Sequence, residues 1–221
     1  YETMDRAYML DGIGRPVNLQ VGHGTSTAAT VKNFAQGNFE KTENPLDFAI
    51  DGEGFFAVLG PKEEVVYTRD GSFKISVSDE GNILVTSDGY PVLDDAGNEI
   101  YIDIDISRLV VSSFGELSYL ENDGTTVPLG QTIGIVKFHN KYALESIGKN
   151  LYEMNSATGE AVPDYEIGTR STISQGFLES SNVQVVEEMV KLIVAQRAYE
   201  INSKAIQSSD EMLGIANNLR R

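Results

Sequence analysis

The sequence predicts a mainly β fold: an antiparallel, hairpin-rich β domain followed by a long C-terminal α-helix. Three observations predict it. Short apolar alternations fill the middle of the chain, Asp-Gly and Gly-Asn pairs separate them, and the C-terminal part carries apolar residues at every third or fourth position. Alternation is the period of a strand, Asp-Gly favours tight turns, and steps of three or four follow one face of a helix.

The N-terminal residues predict little regular structure. Tyr1–Leu10 is compatible with one or two helical turns, and it begins without a Met or a helix cap, so we expect the natural chain to start further upstream. Residues 11–24 are rich in Gly and Pro, which predicts a loop with one short strand at Val17–Val21. We assign residues 1–35 to an N-terminal linker with the first strands.

Residues 36–179 predict the β domain. Apolar and polar side chains alternate in Leu46–Ile50, Phe73–Val77 and Ile100–Ile106, and the last of these runs is the clearest half-buried strand. Further strands are predicted at Phe55–Leu59, Val65–Thr68, Ile83–Thr86, Leu109–Phe114, Leu117–Leu120 and Ile133–Phe138. The pattern weakens into loop over residues 150–168.

Glycine turns separate these strands. The dipeptides are Asp51-Gly52, Asp70-Gly71, Gly81-Asn82, Asp88-Gly89, Gly97-Asn98 and Asp123-Gly124. A tight hairpin needs positive φ, which glycine adopts at little cost. We therefore predict a hairpin with positive φ at Gly71, and we expect the neighbouring Arg69 to serve subunit contacts at most.

Residues 180–221 predict one long helix. Ser181 followed by Gln184 is typical of a capping box, and Glu187 and Glu188 suit the early turns because the helix dipole favours anions there. At about 1.5 Å per residue the helix would be about 55 Å long, more than is needed to cover one face of a small domain.

One face of this helix is apolar at all but one position. The predicted subunit-assembly residues are Val186, Val190, Val194, Ala198, Ile201, Ala205, Met212 and Ile215. Val183 and Leu219 extend this stripe, and Ser208 is its only polar member. The residues expected to widen it on its flanks are Val185, Met189, Leu192, Ile193, Tyr199, Ile206 and Leu213.

Core packing is the ordinary interpretation of such a stripe, but two facts argue against it. No second helix of similar length is predicted, and the segment from Asn182 onward is electrically neutral while the remainder carries the net charge of −16. A long amphipathic helix without an intrachain partner indicates association between molecules.

Composition excludes several functions. With 33 acids against 17 bases, the chain is a poor partner for nucleic acid or anionic membranes, and without cysteine it has neither disulfides nor thiolate chemistry. No apolar run is long enough to span a membrane, and residues 1–16 lack the plan of a signal peptide.

Residues with catalytic or ligand-binding potential are scarce. His23 and His139 lie far apart without metal-binding spacing, and Gly22–Ser26 has the glycines of a phosphate loop but no Lys. Four side chains in one turn offer calcium ligands, namely Asp94, Asp95, Asn98 and Glu99. Their spacing differs from an EF-hand loop, so a solvated turn is the better interpretation. We predict no enzymatic activity, no cofactor and no metal site.

Several motifs resemble those of the bacterial flagellar rod and hook proteins. They are QGN at 36–38, LDFAIDGEGFF at 46–56, YTRDGSF at 67–73, GYPV at 89–92, ESIGKNLY at 145–152, QGFLESSNV at 175–183, EEMV at 187–190 and QRAYEINSKAI at 196–206. The resemblance covers nearly the whole chain and is strongest to distal rod members. The hook protein usually carries a larger inserted domain, for which this chain has no room.

The resemblance implies a structural subunit of the flagellar basal-body rod, distal rather than proximal or hook-type. In the family an N-terminal helix with an Asn-Asn-Leu-Ala-Asn type motif pairs with the C-terminal helix to form the inner tube of an axial filament. That helix is absent here, so we expect this chain to polymerise less readily than its parent and to be a soluble monomer or small oligomer.

The implied partners are further copies of the chain in a helical homopolymer, other rod and hook subunits, and the surrounding basal-body rings. The implied location is outside the cytoplasmic membrane after export through the flagellar secretion channel, where the rod passes motor torque to the hook. Neither nucleic acid nor membrane insertion is expected. From a different class, a carbohydrate-active β enzyme or a β-rich adhesin stays open.

Overall fold

The computed structural model describes residues 2–6, 20–27, 30–78, 81–166 and 168–218. The strands are β1 (Glu2–Arg6), β2 (Gln20–Thr25), β3 (Phe39–Lys41), β4 (Phe48–Asp51), β5 (Phe55–Leu59), β6 (Val65–Thr68), β7 (Phe73–Ser78), β8 (Gly81–Thr86), β9 (Leu109–Val111), β10 (Glu116–Leu120), β11 (Thr126–Thr132), β12 (Ile135–Lys137), β13 (Glu145–Gly148), β14 (Leu151–Glu153), β15 (Val162–Pro163), β16 (Thr172–Gln175) and β17 (Phe177–Glu179). One long helix, α1 (Val185–Asn218), follows them. The predicted fold class, mainly antiparallel β with a long C-terminal helix, is confirmed.

The strands form several small antiparallel sheets. The largest has six strands in the order β13-β14-β6-β5-β12-β15, and a three-stranded sheet has the order β11-β10-β9. The remaining strands pair two by two, as β1 with β2, β3 with β17, β4 with β16, and β7 with β8. The pairs β3–β17 and β4–β16 join segments far apart in sequence, so the two ends of the β body lie side by side.

Strand β5 separates two apolar clusters because its side chains alternate between the faces of the sheet. Phe56 and Val58 lie in the main core, while Phe55 and Ala57 lie in a smaller cluster on the other face. The main core also contains the fully buried Phe48, Phe73, Leu84, Ile100, Ile102 and Leu117. A strand buried on both faces reads as a continuous apolar run, as β5 does.

The predicted strand at Ile100–Ile106 is wrong as a regular element. Ile100 and Ile102 are fully buried, as the alternation predicts, but the run pairs with β8 only through scattered hydrogen bonds, such as Ile102 N–H to the carbonyl of Asn82 at 2.7 Å, and not as a continuous ladder. The run ends in a short 3-10 helix at Ile106–Arg108. Burial was predictable from the pattern here, but continuous pairing was not.

The N-terminal expectations meet the structure only in part. The compatibility of Tyr1–Leu10 with helical turns is not realised over Glu2–Arg6, which forms β1 and pairs with β2. The predicted strand Val17–Val21 overlaps β2 at Gln20 and Val21, and its first three residues lie outside the described residues. Residues 7–10 and Leu219 of the helical stripe also lie outside them.

The hairpin predictions are right at one turn and wrong at another. Asp123-Gly124 joins the paired strands β10 and β11, and Gly124 has a φ of +84°. At Asp70-Gly71 the flanking strands β6 and β7 belong to different sheets and Gly71 is not among the positive-φ glycines. The chain crosses there from one sheet to the other, and residues 71–73 bond instead to the backbone near β4.

Several strands were not predicted, including β14 and β15 within the region interpreted as loop. Strands β14 and β15 are only three and two residues long, too short for a periodicity to be visible. They are strands because their partners on the six-stranded sheet supply the hydrogen bonds. In the part of the chain that the structure describes, no helix is long and apolar enough to cross a membrane.

Candidate assembly interface

Helix α1 is one continuous helix of 34 residues. Its sequence contains no proline, and Glu187 and Glu188 lie in the first turn, where the helix dipole favours anions. Ion pairs one turn apart join Lys191 to Glu188 at 2.7 Å and Arg197 to Glu200 at 2.9 Å. These features stabilise the helix locally. Tertiary packing does not stabilise it, since none of its described residues is buried.

The helix begins differently from the prediction. The capping box at Ser181 and Gln184 is wrong, because the Ser181 hydroxyl accepts the N–H of Val183 at 3.2 Å instead of capping the helix. The first helical hydrogen bond runs from Glu188 N–H to the carbonyl of Gln184 at 3.1 Å. The residues from Ser180 to Gln184 therefore form a non-helical link between the β body and the helix.

All the predicted assembly residues lie on α1 and all are exposed. The exposed fraction is 55% at Val190, 62% at Val194 and 65% at Ile201, and it is similarly high at Val186, Met212 and Ile215. Ala198 and Ala205 are exposed as well. The structure thus brings these residues to one side of a free helix, with no element of the described body covering them.

A second apolar line lies on the other side of the same helix. Its members recur every seventh residue, at Val185, Leu192, Tyr199, Ile206 and Leu213. At about 100° per residue, Leu192 is opposite Ile201 rather than beside it. The expectation that these five residues widen the stripe on its flanks is therefore wrong, and the heptad spacing in the sequence was the signal that would have revealed them. Their exposed fractions run from 62% to 76%.

The chain enters and leaves the β body at one junction below the helix. Strand β3 of the entering segment pairs with β17 of the leaving segment. Beyond that pair, Ser180 N–H donates to the carbonyl of Asn38 at 2.8 Å, and the Asn182 side-chain amide donates to the carbonyl of Ala35 at 2.6 Å. The link to α1 is therefore tied to the incoming chain up to three residues before the helix begins.

Arg69 and Glu179 form the partly buried centre of this junction. The Arg69 Nε donates to Glu179 Oε2 at 2.6 Å, and its side chain is 23% exposed against 11% for Glu179. The expectation that Arg69 serves subunit contacts at most is wrong, because its guanidinium also donates to main-chain carbonyls of the body at Ile50, Gly52 and Gly54. Sequence reasoning missed Glu179, since 110 residues separate it from its partner.

An open cleft of about 430 Å³ lies beside the junction, lined by Phe34, Glu53, Arg69, Tyr152 and Asn182 among others. At its edge Lys141 donates to Glu53 at 2.7 Å, and this hydrogen bond and charge hold the pKa of the Glu53 carboxyl below its ordinary value of 4.5. Within the described residues no group of three or more His, Asp or Glu side chains converges as metal ligands would.

In the acidic turn weighed as a calcium site, a carboxylate oxygen already accepts hydrogen bonds from the backbone of the turn. Asp94 Oδ1 accepts the N–H groups of Ala96 at 2.9 Å and Asn98 at 2.7 Å, which is the geometry of an Asx turn. Of the stretch Gly22–Ser26, weighed as a phosphate loop, the first four residues lie in strand β2.

Two family models match the chain. The model described as flagellar basal body rod FlgEFG protein, C-terminal, matches residues 174–219, which comprise the end of β16, all of β17 and α1. The model described as flagellar hook protein FlgE/F/G D1 domain matches residues 49–119 in the β body.

Curated relatives match over nearly the full length. A flagellar basal-body rod protein FlgG from Borreliella burgdorferi is 46% identical over 228 residues, covering 100% of this chain and 83% of the relative. Proteins of the same name from Bacillus subtilis and Caulobacter vibrioides are 38% and 37% identical, with 95% and 100% of this chain covered and 78% and 83% of theirs.

Proposed function

The chain belongs to the FlgG family of flagellar basal-body rod proteins, and we propose that it builds an axial tube by binding further copies of itself through its C-terminal helix. It is a structural subunit of the distal rod, not an enzyme, and it assembles with other rod and hook subunits of the basal body. The alternatives of a glycan-active enzyme and an adhesin are thereby set aside.

The observation that carries self-assembly is the pair of unpartnered apolar faces on α1. The stripe through Val194 and Ile201 and the heptad line through Leu192 and Tyr199 lie on different sides of the helix and are all more than half exposed. A single partner helix covers one such face, so the second needs another molecule. Burying each large apolar side chain contributes about 1.5–3 kcal/mol, so the driving force grows with every turn in contact.

Charge favours the same arrangement. Residues 182–221 are neutral, and paired charges such as Lys191 with Glu188 keep the helix surface balanced, so copies can approach without repulsion. The rest of the chain holds the net charge of −16 and stays soluble on the outside of a tube. We assign residues 36–179 to that outer body, residues 180–221 to the assembly helix and residues 1–35 to an N-terminal linker with the first strands.

Family membership supports the wider proposal. The subunit leaves the cytoplasm through the flagellar secretion channel and lies outside the cytoplasmic membrane, where the tube turns inside the basal-body rings and transmits torque to the hook. Close-packed helices suit this task because dense packing resists shear.

Crosslinking in isolated basal bodies tests the proposal. The chain has no cysteine, so one introduced cysteine is a unique handle. Val194→Cys and Leu192→Cys, treated with a short bifunctional maleimide, should give covalent dimers and higher multimers of this chain. Gln207→Cys, at a polar position of the same helix, is the control. Multimers that are equally abundant from all three cysteines, or from none, would overturn self-assembly through these faces.

A further inference from the structure

We propose that Arg69 and Glu179 are positioning residues that set the direction in which the assembly helix leaves the β body. The inference rests on the proposed function, because direction matters only if the helix is the assembly element. It starts from the observation that α1 is not held by packing: none of its described residues is buried. Its orientation is therefore decided at the junction.

The regular pairing at the junction is short. Strands β3 and β17 contribute three residues each to a two-stranded ribbon, and such ribbons are marginally stable by themselves. Phe39 in β3 is 36% exposed and the residues of β17 are half-buried, so little apolar packing supports the ribbon. Another constraint has to fix its angle to the body.

Arg69 supplies that constraint from the body. Its Nη1 donates to the carbonyl of Gly54 at 2.7 Å, and its Nη2 donates to those of Gly52 at 2.8 Å and Ile50 at 3.1 Å. These bonds use the outer nitrogens of the guanidinium, and the remaining Nε donates to Glu179. The planar, fork-shaped group is thereby locked, and it presents its charge in one direction.

Glu179 passes the constraint to both chain segments of the junction. It is the last residue of β17, and while its Oε2 binds Arg69, its Oε1 accepts the N–H of Gly37 at 2.8 Å. Gly37 lies so close to the leaving segment that a Cβ there would overlap the carbonyl oxygen of Ser180. One carboxylate thus ties the incoming chain, the outgoing chain and the body together, shortly before α1 begins at Val185.

The charged pair is strong because it is shielded. With Glu179 only 11% exposed, water competes weakly for the carboxylate, and a charge-assisted hydrogen bond in such a place is stronger than one at the surface. Losing either partner leaves the other without its main contact, and the ribbon is then free to pivot.

The test measures the helix direction in the isolated full chain. Spin labels on Lys62→Cys in an exposed turn of the body and Gln196→Cys in α1 report the distance between them, since no native cysteine interferes. Glu179→Ala should widen the distance distribution about twofold while helix content and the unfolding midpoint of the body stay close to those of the parent chain, since flexibility confined to a joint leaves other units folded.

Three variants make the result specific. Arg69→Ala should widen the distribution as much as Glu179→Ala, and Arg69→Lys should be intermediate, because an ammonium cannot reach the carboxylate and all the carbonyls together. Lys41→Ala, at an exposed lysine of the same ribbon whose ion-pair partner Glu43 is exposed as well, should change nothing. If Arg69→Ala unfolds the body, Glu179→Ala decides, since it leaves the bonds from Arg69 to the body intact.

An unchanged distribution in Glu179→Ala would overturn the positioning role. It would leave the proposed function standing, because the distance is measured without assembly. Failure of crosslinking in basal bodies, with the distance distribution widened as expected, would overturn the proposed self-assembly and leave the positioning role of the pair standing.

Discussion

Gly71 lies against the backbone of Phe48 so closely that a Cβ on residue 71 would overlap the carbonyl oxygen of Phe48. The approach is fixed from the other side by a hydrogen bond from Phe48 N–H to the carbonyl of Gly71 at 3.0 Å. Phe48 is fully buried in the main core. Neither backbone can move away without opening that core, so residue 71 needs glycine for space and not for its φ.

We therefore expect Gly71→Ala to lower the free energy of unfolding of the β body by about 3 kcal/mol or more, because overpacking at a rigid backbone contact cannot be relieved locally. Gly97→Ala is the matched control. Gly97 has a φ of +85° and open space around its Cα, so only the conformational cost of about 1 kcal/mol applies. Urea unfolding measures both, and equal losses would contradict the steric explanation.

The sequence was most informative where one segment determines its own structure. Phe55–Leu59 and Val65–Thr68 were predicted with the bounds that the structure has, because their apolar runs are bordered by turn residues. The helix was predictable for the same reason, since its period persists over many turns.

Partners distant in sequence were not predictable. Asp70-Gly71 has the dipeptide of a hairpin, but the backbone of Phe48 occupies the space that a hairpin turn would leave open. Arg69 looked like a surface residue because nothing near it in sequence accepts its hydrogen bonds, and its carboxylate partner is the last residue of the last strand, 110 residues away. Such contacts are properties of the fold, and one sequence carries no signal for them.

The buried ion pair of Lys137 with Asp164 carries the second prediction. The Lys137 Nζ lies 2.7 Å from the Asp164 Oδ1, and the side chains are 9% and 8% exposed. Asp164→Asn keeps the shape but removes the negative charge, so Lys137 would be buried without its counter-ion. We expect a loss of about 3–5 kcal/mol in the free energy of unfolding.

The double variant Lys137→Met with Asp164→Asn separates charge from packing. Removing both charges removes the desolvation cost of each, so most of the loss should be recovered. If the double variant is less stable than Asp164→Asn alone in denaturant unfolding, the stability comes from the shape of the pair and not from its charge.

Acid should weaken the contact at the edge of the cleft. The hydrogen bond and charge of Lys141 lower the pKa of Glu53, so folding is favoured by this pair above the ordinary Glu value of 4.5, and that contribution disappears as the pH falls through the lowered pKa. The melting temperature of Glu53→Gln should be slightly below that of the unsubstituted chain at neutral pH, and the difference should close below pH 4.5. Melting curves across pH, with exposed Glu145→Gln as the control, check this. A difference in melting temperature that grows in acid would mean that the pair does not lower the pKa of Glu53.

The last prediction separates folding from assembly. Val194 is 62% exposed on the apolar stripe, so Val194→Glu should leave the unfolding midpoint of the body and the helix content unchanged. In an assembled tube the same charge would lie unpaired in a desolvated seam, at a cost of several kcal/mol for each subunit. Cells carrying it should lack complete rods and should not swim.

Gln207→Glu adds the same charge to the same helix at a polar position, and we expect it to assemble and support swimming. Counting rods in isolated basal bodies by electron microscopy, beside a motility assay, compares the two. Normal rods with Val194→Glu would mean that the stripe faces solvent in the assembly, whereas loss of rods with both variants would point to added charge on α1 rather than to this face. A defect confined to Val194→Glu identifies the stripe as the seam between subunits.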